Sequence, residues 1–285
     1  MDYRVPATTT EAVAMLTSVE GAHALAGGTD LLVKLRTGLM APRLVVDLKA
    51  IPTIRGISSD ARGWRIGAAT PCAEIGEHKG ICAAWPGLVE GLKLIGSTQV
   101  QGRATLGGNL CNASPAADSV PALIAAGAVC EVVGPGGTRE VPVENIVTSP
   151  GRTSLARGEF ILGFRLPPQH ARGGDAYLRL IPRTEMDIAV VGAGVSLALG
   201  SDGTCTHARV SLGAVAPTPL LVADCAKALL GSKVDESALK ALAAAASAAC
   251  KPIDDKRGTI AYRVKVAGVL AVRAARIALE RAQQR

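Results

Sequence analysis

Two Gly-Gly turns lie eighty residues apart, in Ala26-Gly27-Gly28-Thr29-Asp30 and Thr105-Leu106-Gly107-Gly108-Asn109, each following or ending an apolar stretch. Glycine tolerates positive φ and lets a ligand approach the backbone with no Cβ between them, so successive N–H groups can converge on an anion. Two such turns facing one another would grip a diphosphate. No rival chemistry is visible. The four histidines, His23, His78, His170 and His207, are scattered and lack the nearby Ser, Cys or Asp of a triad, so none is assigned to catalysis. The seven cysteines, at positions 72, 82, 111, 130, 205, 225 and 250, are odd in number and contain no C-x-x-C pair. They suggest neither a disulfide framework nor a zinc or iron-sulfur ligand set, and are read as buried thiols in a reducing compartment.

The elements that must position the turns can be read from periodicity. Thr8-Thr9-Thr10-Glu11 has capping-box spacing, and Ala12, Val13, Leu16 and Val19 continue it as a helix. Ala22 to Ala26 reads as a strand entering the first turn, a helix covers about Asp30 to Thr37, and Leu44 to Leu48 is the next strand. A strand, glycine turn, helix, strand unit sets the turn's N–H groups at a helix N-terminus, where the macrodipole also favours an anion. A strand from Trp64 to Ala69 and helices over Cys72–His78 and Leu88–Ile95 precede the second turn. After it, 109–114 reads as irregular, Ser119–Ala126 as a helix, Val129–Val133 as a strand ending at a Gly134–Gly137 hairpin turn, and Phe160–Leu166 as a strand stopped by two prolines. Beyond a linker-like Gln169–Gly174 come longer strands, Ala189–Leu199 and Ala208–Ala214, then helices near Ala223–Leu230, Glu236–Cys250 and Ile260–Gln283. The expected fold is α+β, with 1–174 and 175–285 as separate domains.

A chain of 285 residues with 48% hydrophobic content has ample material for two or three packed units, although only 2% is aromatic. Residues 251–285 carry nine Lys/Arg against Asp254, Asp255 and Glu280, so they supply +6 of the formal net charge of +7. The other 250 residues are almost neutral, which argues against a nucleic-acid-binding field, and few aromatics are present to stack bases. The basic segment is read as a solvated face, with subunit docking as the other reading. No leader pattern and no run of eighteen apolar residues is present, so the chain is expected to be soluble and cytoplasmic, if need be at the inner membrane face.

Val190-Val191-Gly192-Ala193-Gly194 imitates the start of a dinucleotide fingerprint. Its third glycine position is Leu197, and Val195, Leu197 and Leu199 alternate as a strand, so the strand-turn-helix context fails. No G-x-x-x-x-G-K-[ST] loop is present either.

With their flanks the two turns form a longer pattern: Ala24 to Leu32, Arg103 to Leu110, then Asn112-Ala113-Ser114-Pro115-Ala116-Ala117-Asp118-Ser119-Val120-Pro121. Ile66 to Thr70, Ala176 to Arg179 and Arg183 to Ala189 extend it. The chain thereby resembles, over essentially its whole length, the FAD-binding (medium) subunit of molybdenum hydroxylases, the xanthine dehydrogenase and aerobic carbon monoxide dehydrogenase group. The resemblance implies a two-lobed α/β FAD-binding domain of the PCMH type, with lobes of about 1–55 and 56–174, and a small α+β C-terminal domain.

Carried over by matching residues, the FAD diphosphate would lie between Leu25, Ala26, Gly27, Gly28, Thr29, Asp30, Leu31 and Leu32 on one side and Thr105, Leu106, Gly107, Gly108 and Asn109 on the other. Backbone N–H groups and the Thr29 and Thr105 hydroxyls would be the donors. Ala68, Thr70 and Ser114 complete the site; Asp118 suits ribityl or ribose hydroxyls; Ile161 or Leu162 matches an aliphatic residue near the isoalloxazine. Arg179 stands where relatives often carry lysine, able to neutralise reduced flavin, with a surface ion pair as its other reading. Gln101-Gly102 departs from the Arg-Asn that often precedes the second turn, and no cysteine-bearing insertion for an extra cluster is present.

The resemblance implies an electron-transfer subunit in a dimer of heterotrimers. A large molybdopterin-binding subunit would oxidise the substrate, a small subunit with two-iron two-sulfur clusters would pass electrons on, and FAD would deliver them to NAD, a quinone or another acceptor. The alternatives are a stand-alone FAD-dependent oxidoreductase and a docking subunit that holds no flavin.

Overall fold

The computed structural model describes residues 1–285. The chain opens with β1 (Asp2–Arg4) and α1 (Thr9–Ser18). Thr8 caps α1, its Oγ1 accepting from the Glu11 N–H at 3.2 Å, while Glu11 reaches back to accept from the Ala7 N–H at 2.8 Å. Next come β2 (Ala22–Leu25), α2 (Leu31–Arg36) and β3 (Leu44–Asp47). β3 lies between β1 and β2, parallel to both, and its four residues are all buried, as the continuous apolar run Leu44-Val45-Val46 requires of a central parallel strand. The first glycine turn therefore leaves the carboxyl end of a strand in an open parallel sheet, the edge where such sheets hold ligands.

The second lobe begins with β4 (Ile57–Asp60) and β5 (Gly63–Gly67). Six short helices follow: α3 (Cys72–Glu77), α4 (Lys79–Ala84), α5 (Pro86–Lys93), α6 (Thr98–Gln101), α7 (Leu106–Cys111) and α8 (Ser119–Ala125). Then come β6 (Val129–Gly134), β7 (Gly137–Pro142), β8 (Val147–Ser149), β9 (Arg152–Thr153) and β10 (Phe160–Leu166). β4-β5-β10-β6-β7 form one antiparallel sheet, with Gly134 to Gly137 as its hairpin turn. β4 and α4 carry no signal in the sequence: Ile-Ser-Ser-Asp has no apolar alternation, and α4 is a single short turn interrupted by Gly80. Both lobes share one core of 41 buried residues running from Ala12 to Leu166 and including Tyr177.

The C-terminal part contains β11 (Gly173–Leu180), β12 (Val191–Leu199), β13 (Cys205–Gly213), β14 (Leu220–Leu221), α9 (Ala223–Leu229), α10 (Glu236–Ala249) and α11 (Ile260–Gln283). Its four strands form an antiparallel sheet in chain order, with a separate core of 26 buried residues. Gly173 and Gly174, read from sequence as the end of a linker, begin β11. A Cβ on Gly174 would lie 2.1 Å from the Ala278 carbonyl, so α11 rests directly on the strand. Alanine explains how a core with few aromatics closes: Ala267, Ala271, Ala274, Ala275, Ala278 and Ala282 are fully buried along one face of α11. Val191 to Gly194 of the dinucleotide imitation begin β12, a strand as the sequence predicts, and every residue of it is buried. Gly192 leaves room for the Tyr177 ring, and a Cβ on Gly194 would lie 2.6 Å from the Pro121 carbonyl of α8.

Lys251, Lys256, Lys265, Arg273 and Arg276 of the basic segment are exposed, as a solvated face requires, while others of its cations clasp the fold. Arg263 is 3% exposed and donates to the Val190 carbonyl at 2.7 Å and to Asp255 at 2.8 Å. Arg257 pairs with Asp187, Arg276 with Glu236, and Arg281 with Glu90 of α5, while Arg285 donates to the carbonyls of Gly173 and Ala83. The sequence could not show this, because the partners of Arg281 and Arg285 lie 112 to 202 residues away.

Candidate functional site

The first glycine turn leaves its donors unused. No backbone hydrogen bond is donated by Gly27, Gly28, Thr29, Asp30 or Leu31, whose N–H groups run from the end of β2 into the first turn of α2. Gly28 has φ +82, the left-handed conformation that lets the chain reverse there. Gly27 is required for a different reason. A Cβ on it would lie 2.0 Å from the Arg103 carbonyl, so this turn is pressed against the segment that precedes the second.

The second glycine turn is the start of a helix, and the irregular reading of 109–114 is corrected by α7, which extends to Cys111. Thr105 caps it: Oγ1 accepts from the Gly108 N–H at 3.0 Å, and the Thr105 carbonyl accepts from the Asn109 N–H at 2.9 Å. The Gly107 N–H donates to the Ala68 carbonyl at 3.0 Å. These three N–H groups thus have partners inside the protein, and Thr105, 2% exposed, is a cap rather than an exposed donor. The two glycines also differ. A Cβ on Gly107 would come 2.8 Å from the Ala68 carbonyl and 3.0 Å from its Cβ, whereas Gly108 faces the cleft and its Cβ would meet only Thr105 Oγ1, at 3.0 Å.

Between the turns lies a cleft of about 250 Å³, walled by Leu25 to Leu31, Thr105 and Gly108. It contains a cation that the sequence reading missed. Lys34 Nζ, one turn into α2, donates to Asn112 Oδ1 at 2.6 Å, and Asn112 Nδ2 donates to Asp30 Oδ1 at 3.2 Å. Asn112 thus ties the two turns together across 78 to 82 residues. Lys34 could have been found from its place four residues after Asp30, on the helix face that follows the turn. Cys111 also lies in this cleft and is exposed there, contrary to the reading of every cysteine as buried. The donor set fits a diphosphate: unused N–H groups at a helix start, a lysine beside them, and a glycine whose missing Cβ keeps the opposite wall open.

A second recess of similar size adjoins the first through Thr29, Asp30 and Asn112. Asn109, Ser114 and Asp118 line it, and Met186 and Ile188, 61% and 53% exposed, reach it from the loop between β11 and β12. Asn109 Oδ1 accepts from the Ser119 hydroxyl at 2.6 Å, holding the start of α8 beside it. Most other sequence candidates are buried. Ala68, Thr70 and Leu106 are at most 3% exposed, Ile161 is in the core, and Leu162 is partly buried against it. From β10 the residue on the cleft is Phe160. Leu32 is 50% exposed and packs beside Gly28.

Asp118 and Arg179 form one unit. Arg179 Nη1 lies 2.8 Å from Asp118 Oδ2 and also 2.8 Å from the Leu94 carbonyl, and the arginine side chain is 3% exposed. It is a buried ion pair, not a surface bridge. The Tyr177 hydroxyl donates to the other oxygen, Asp118 Oδ1, at 3.2 Å. Burial pushes the Asp118 carboxyl up to about 6 despite the opposing pull of Arg179 and Tyr177, and burial raises the Tyr177 phenol well above its ordinary range.

The comparisons with known proteins agree with this architecture. Residues 1–169 match the FAD binding domain in molybdopterin dehydrogenase, and residues 176–278 match the CO dehydrogenase flavoprotein C-terminal domain. The carbon monoxide dehydrogenase medium chain of Afipia carboxidovorans is 35% identical over 283 residues, covering 99% of this chain and 98% of that one. The putative xanthine dehydrogenase FAD-binding subunit of Escherichia coli is 33% identical over 76% of this chain and 75% of its own length. The reconstituted CO dehydrogenase from Oligotropha carboxidovorans superposes with a TM-score of 0.94 at 34% identity, over 99% of this chain and 98% of that chain. The quinoline 2-oxidoreductase from Pseudomonas putida 86 superposes with a TM-score of 0.91 at 26% identity, over 99% and 98%. The chain belongs to the family of FAD-binding medium subunits of molybdopterin dehydrogenases.

Proposed function

We propose that this chain is the flavin-carrying electron-transfer subunit of a molybdenum hydroxylase assembly. It would receive electrons from iron-sulfur clusters of a small partner and deliver them to an acceptor, while a large molybdopterin-binding partner oxidises the substrate. The observation that carries the site assignment is the row of unused N–H groups from Gly27 to Leu31, opening on a cleft shared with Lys34 and Gly108. FAD, when bound, supplies exchange of one electron with a cluster and two with a final acceptor.

The protein's own residues divide that work. The N–H groups of Gly27 to Leu31 would hold the diphosphate with Lys34 compensating its charge, while the capped α7 forms the opposing wall. The adjoining recess with Asn109, Ser114 and Asp118 would take the ribityl chain and flavin ring, covered by Met186 and Ile188. The relatives are chains of CO dehydrogenase and xanthine dehydrogenase, so a heterotrimer, itself dimerised, is the assembly this reading expects. No helix is long and apolar enough to cross a membrane.

The test is to purify the chain with its co-expressed partners and measure FAD per chain by flavin absorbance, alongside the Gly28→Val variant. Near-stoichiometric FAD in the wild type and loss in the variant are expected. A flavin-free intact complex would overturn the reading in favour of a docking subunit.

A further inference from the structure

Tyr177 belongs to the C-terminal sheet by its strand and to the N-terminal core by its side chain. It is 2% exposed, and its ring lies over Gly192 of β12, where a Cβ would come 2.5 Å from the phenol oxygen. Its backbone N–H donates to Glu90 Oε2 of α5 at 2.8 Å. Ring and backbone are therefore both held, so the hydroxyl arrives at a set point. The partner at that point is Asp118 Oδ1, at 3.2 Å.

A phenylalanine would fill the same slot without needing a hydrogen-bond partner, so packing alone gives no reason for the hydroxyl. Asp118 likewise is not used as a helix cap, although it stands at the cap position of α8: its side chain makes no capping bond and turns toward β11. Each carboxylate oxygen then receives one donor from β11, Oδ1 from Tyr177 and Oδ2 from Arg179. The remaining lone pairs are left for the recess that Asp118 lines.

We propose that Tyr177 is a positioning residue for the cofactor site: its hydroxyl, together with Arg179, fixes the plane of the Asp118 carboxylate for hydrogen bonding to the hydroxyl-bearing chain of FAD. The inference rests on the reading of Asp118 as a cofactor-site residue given above. It makes the C-terminal domain part of flavin retention through a side chain that never touches the cofactor.

The experiment is a double-mutant cycle on the full chain, stripped of flavin and titrated with FAD by fluorescence quenching, using Tyr177→Phe, Asp118→Ala and the double variant. Tyr177→Phe is expected to weaken FAD binding about fivefold, the scale of one lost hydrogen bond, with its melting temperature little changed. The double variant should bind no more weakly than Asp118→Ala alone, and the visible circular dichroism of bound flavin should change in both single variants. Wild-type affinity in Tyr177→Phe, or an undiminished further loss when it is added to Asp118→Ala, overturns the inference. Wild-type affinity in Asp118→Ala instead removes the reading of Asp118 on which it rests.

Discussion

The two glycine turns share a sequence type and differ in what their backbones do. In the first, N–H groups from Gly27 to Leu31 have no protein acceptor; in the second, those of Gly107, Gly108 and Asn109 bond to Ala68 and Thr105. The first turn has the donors of an anion site, and the second is a wall whose glycines allow close approach. A Gly-Gly pair therefore reports that something comes near the backbone, and only its surroundings say whether that is a ligand or the protein itself.

The largest effect that tests this contrast is at Gly27. Gly27→Val would drive a side chain into the Arg103 carbonyl, 2.0 Å from the Cβ position, and should cost roughly 3 kcal/mol or more, with FAD lost as a consequence. Chemical denaturation together with flavin content measures both, and an unchanged midpoint would show that the turns are not in contact. Gly107→Ala comes next, expected to destabilise by about 1–3 kcal/mol through its clash with Ala68, whereas Gly108→Ala should leave the midpoint alone and lower FAD affinity. Equal behaviour of the two variants would erase the distinction drawn between wall and packing contact.

Lys34→Met sharpens the donor side of the comparison. Loss of the cation in the cleft should weaken FAD binding about tenfold at low ionic strength and less at high salt. A titration at two salt concentrations reads this directly, and a salt-independent loss would point to packing.

A pH effect lies at the seam between the domains. Asp175 is 3% exposed, one oxygen accepts from the Gly87 N–H at 2.8 Å, the other has no partner, and burial pushes the carboxyl up to about 7. Because the folded-state value is raised above the ordinary 3.8, the folded protein holds the proton more tightly. This contribution to stability is complete below about pH 4 and is lost as pH rises through about 7. Asp175→Asn should flatten the melting temperature between pH 5 and 8 relative to wild type and raise it at pH 8. Parallel profiles for the two proteins would remove Asp175 as the cause.

Legibility followed the range of the interaction. The Thr8 cap, the strand into the first turn, the failure of the Val190–Gly194 imitation and the α11 helix rest on residues within a few positions of one another, so their patterns could be read. The capping role of Thr105 was also legible, since its partner Gly108 is three residues on, but two glycines in that spacing suggested a ligand loop instead. The ion pair of Asp118 with Arg179 spans 61 residues and the Lys34–Asn112 bridge spans 78, and no local periodicity encodes either.

By itself the sequence determined where the backbone bends and where it can be approached, because glycine's freedom, helix capping and strand alternation act through bonded neighbours. It also carried enough motif in the glycine turns and their flanks to identify the family. Which N–H groups remain available was decided only by the tertiary structure. That depends on whether packing brings a carbonyl such as that of Ala68 to them or, as along Gly27 to Leu31, brings none.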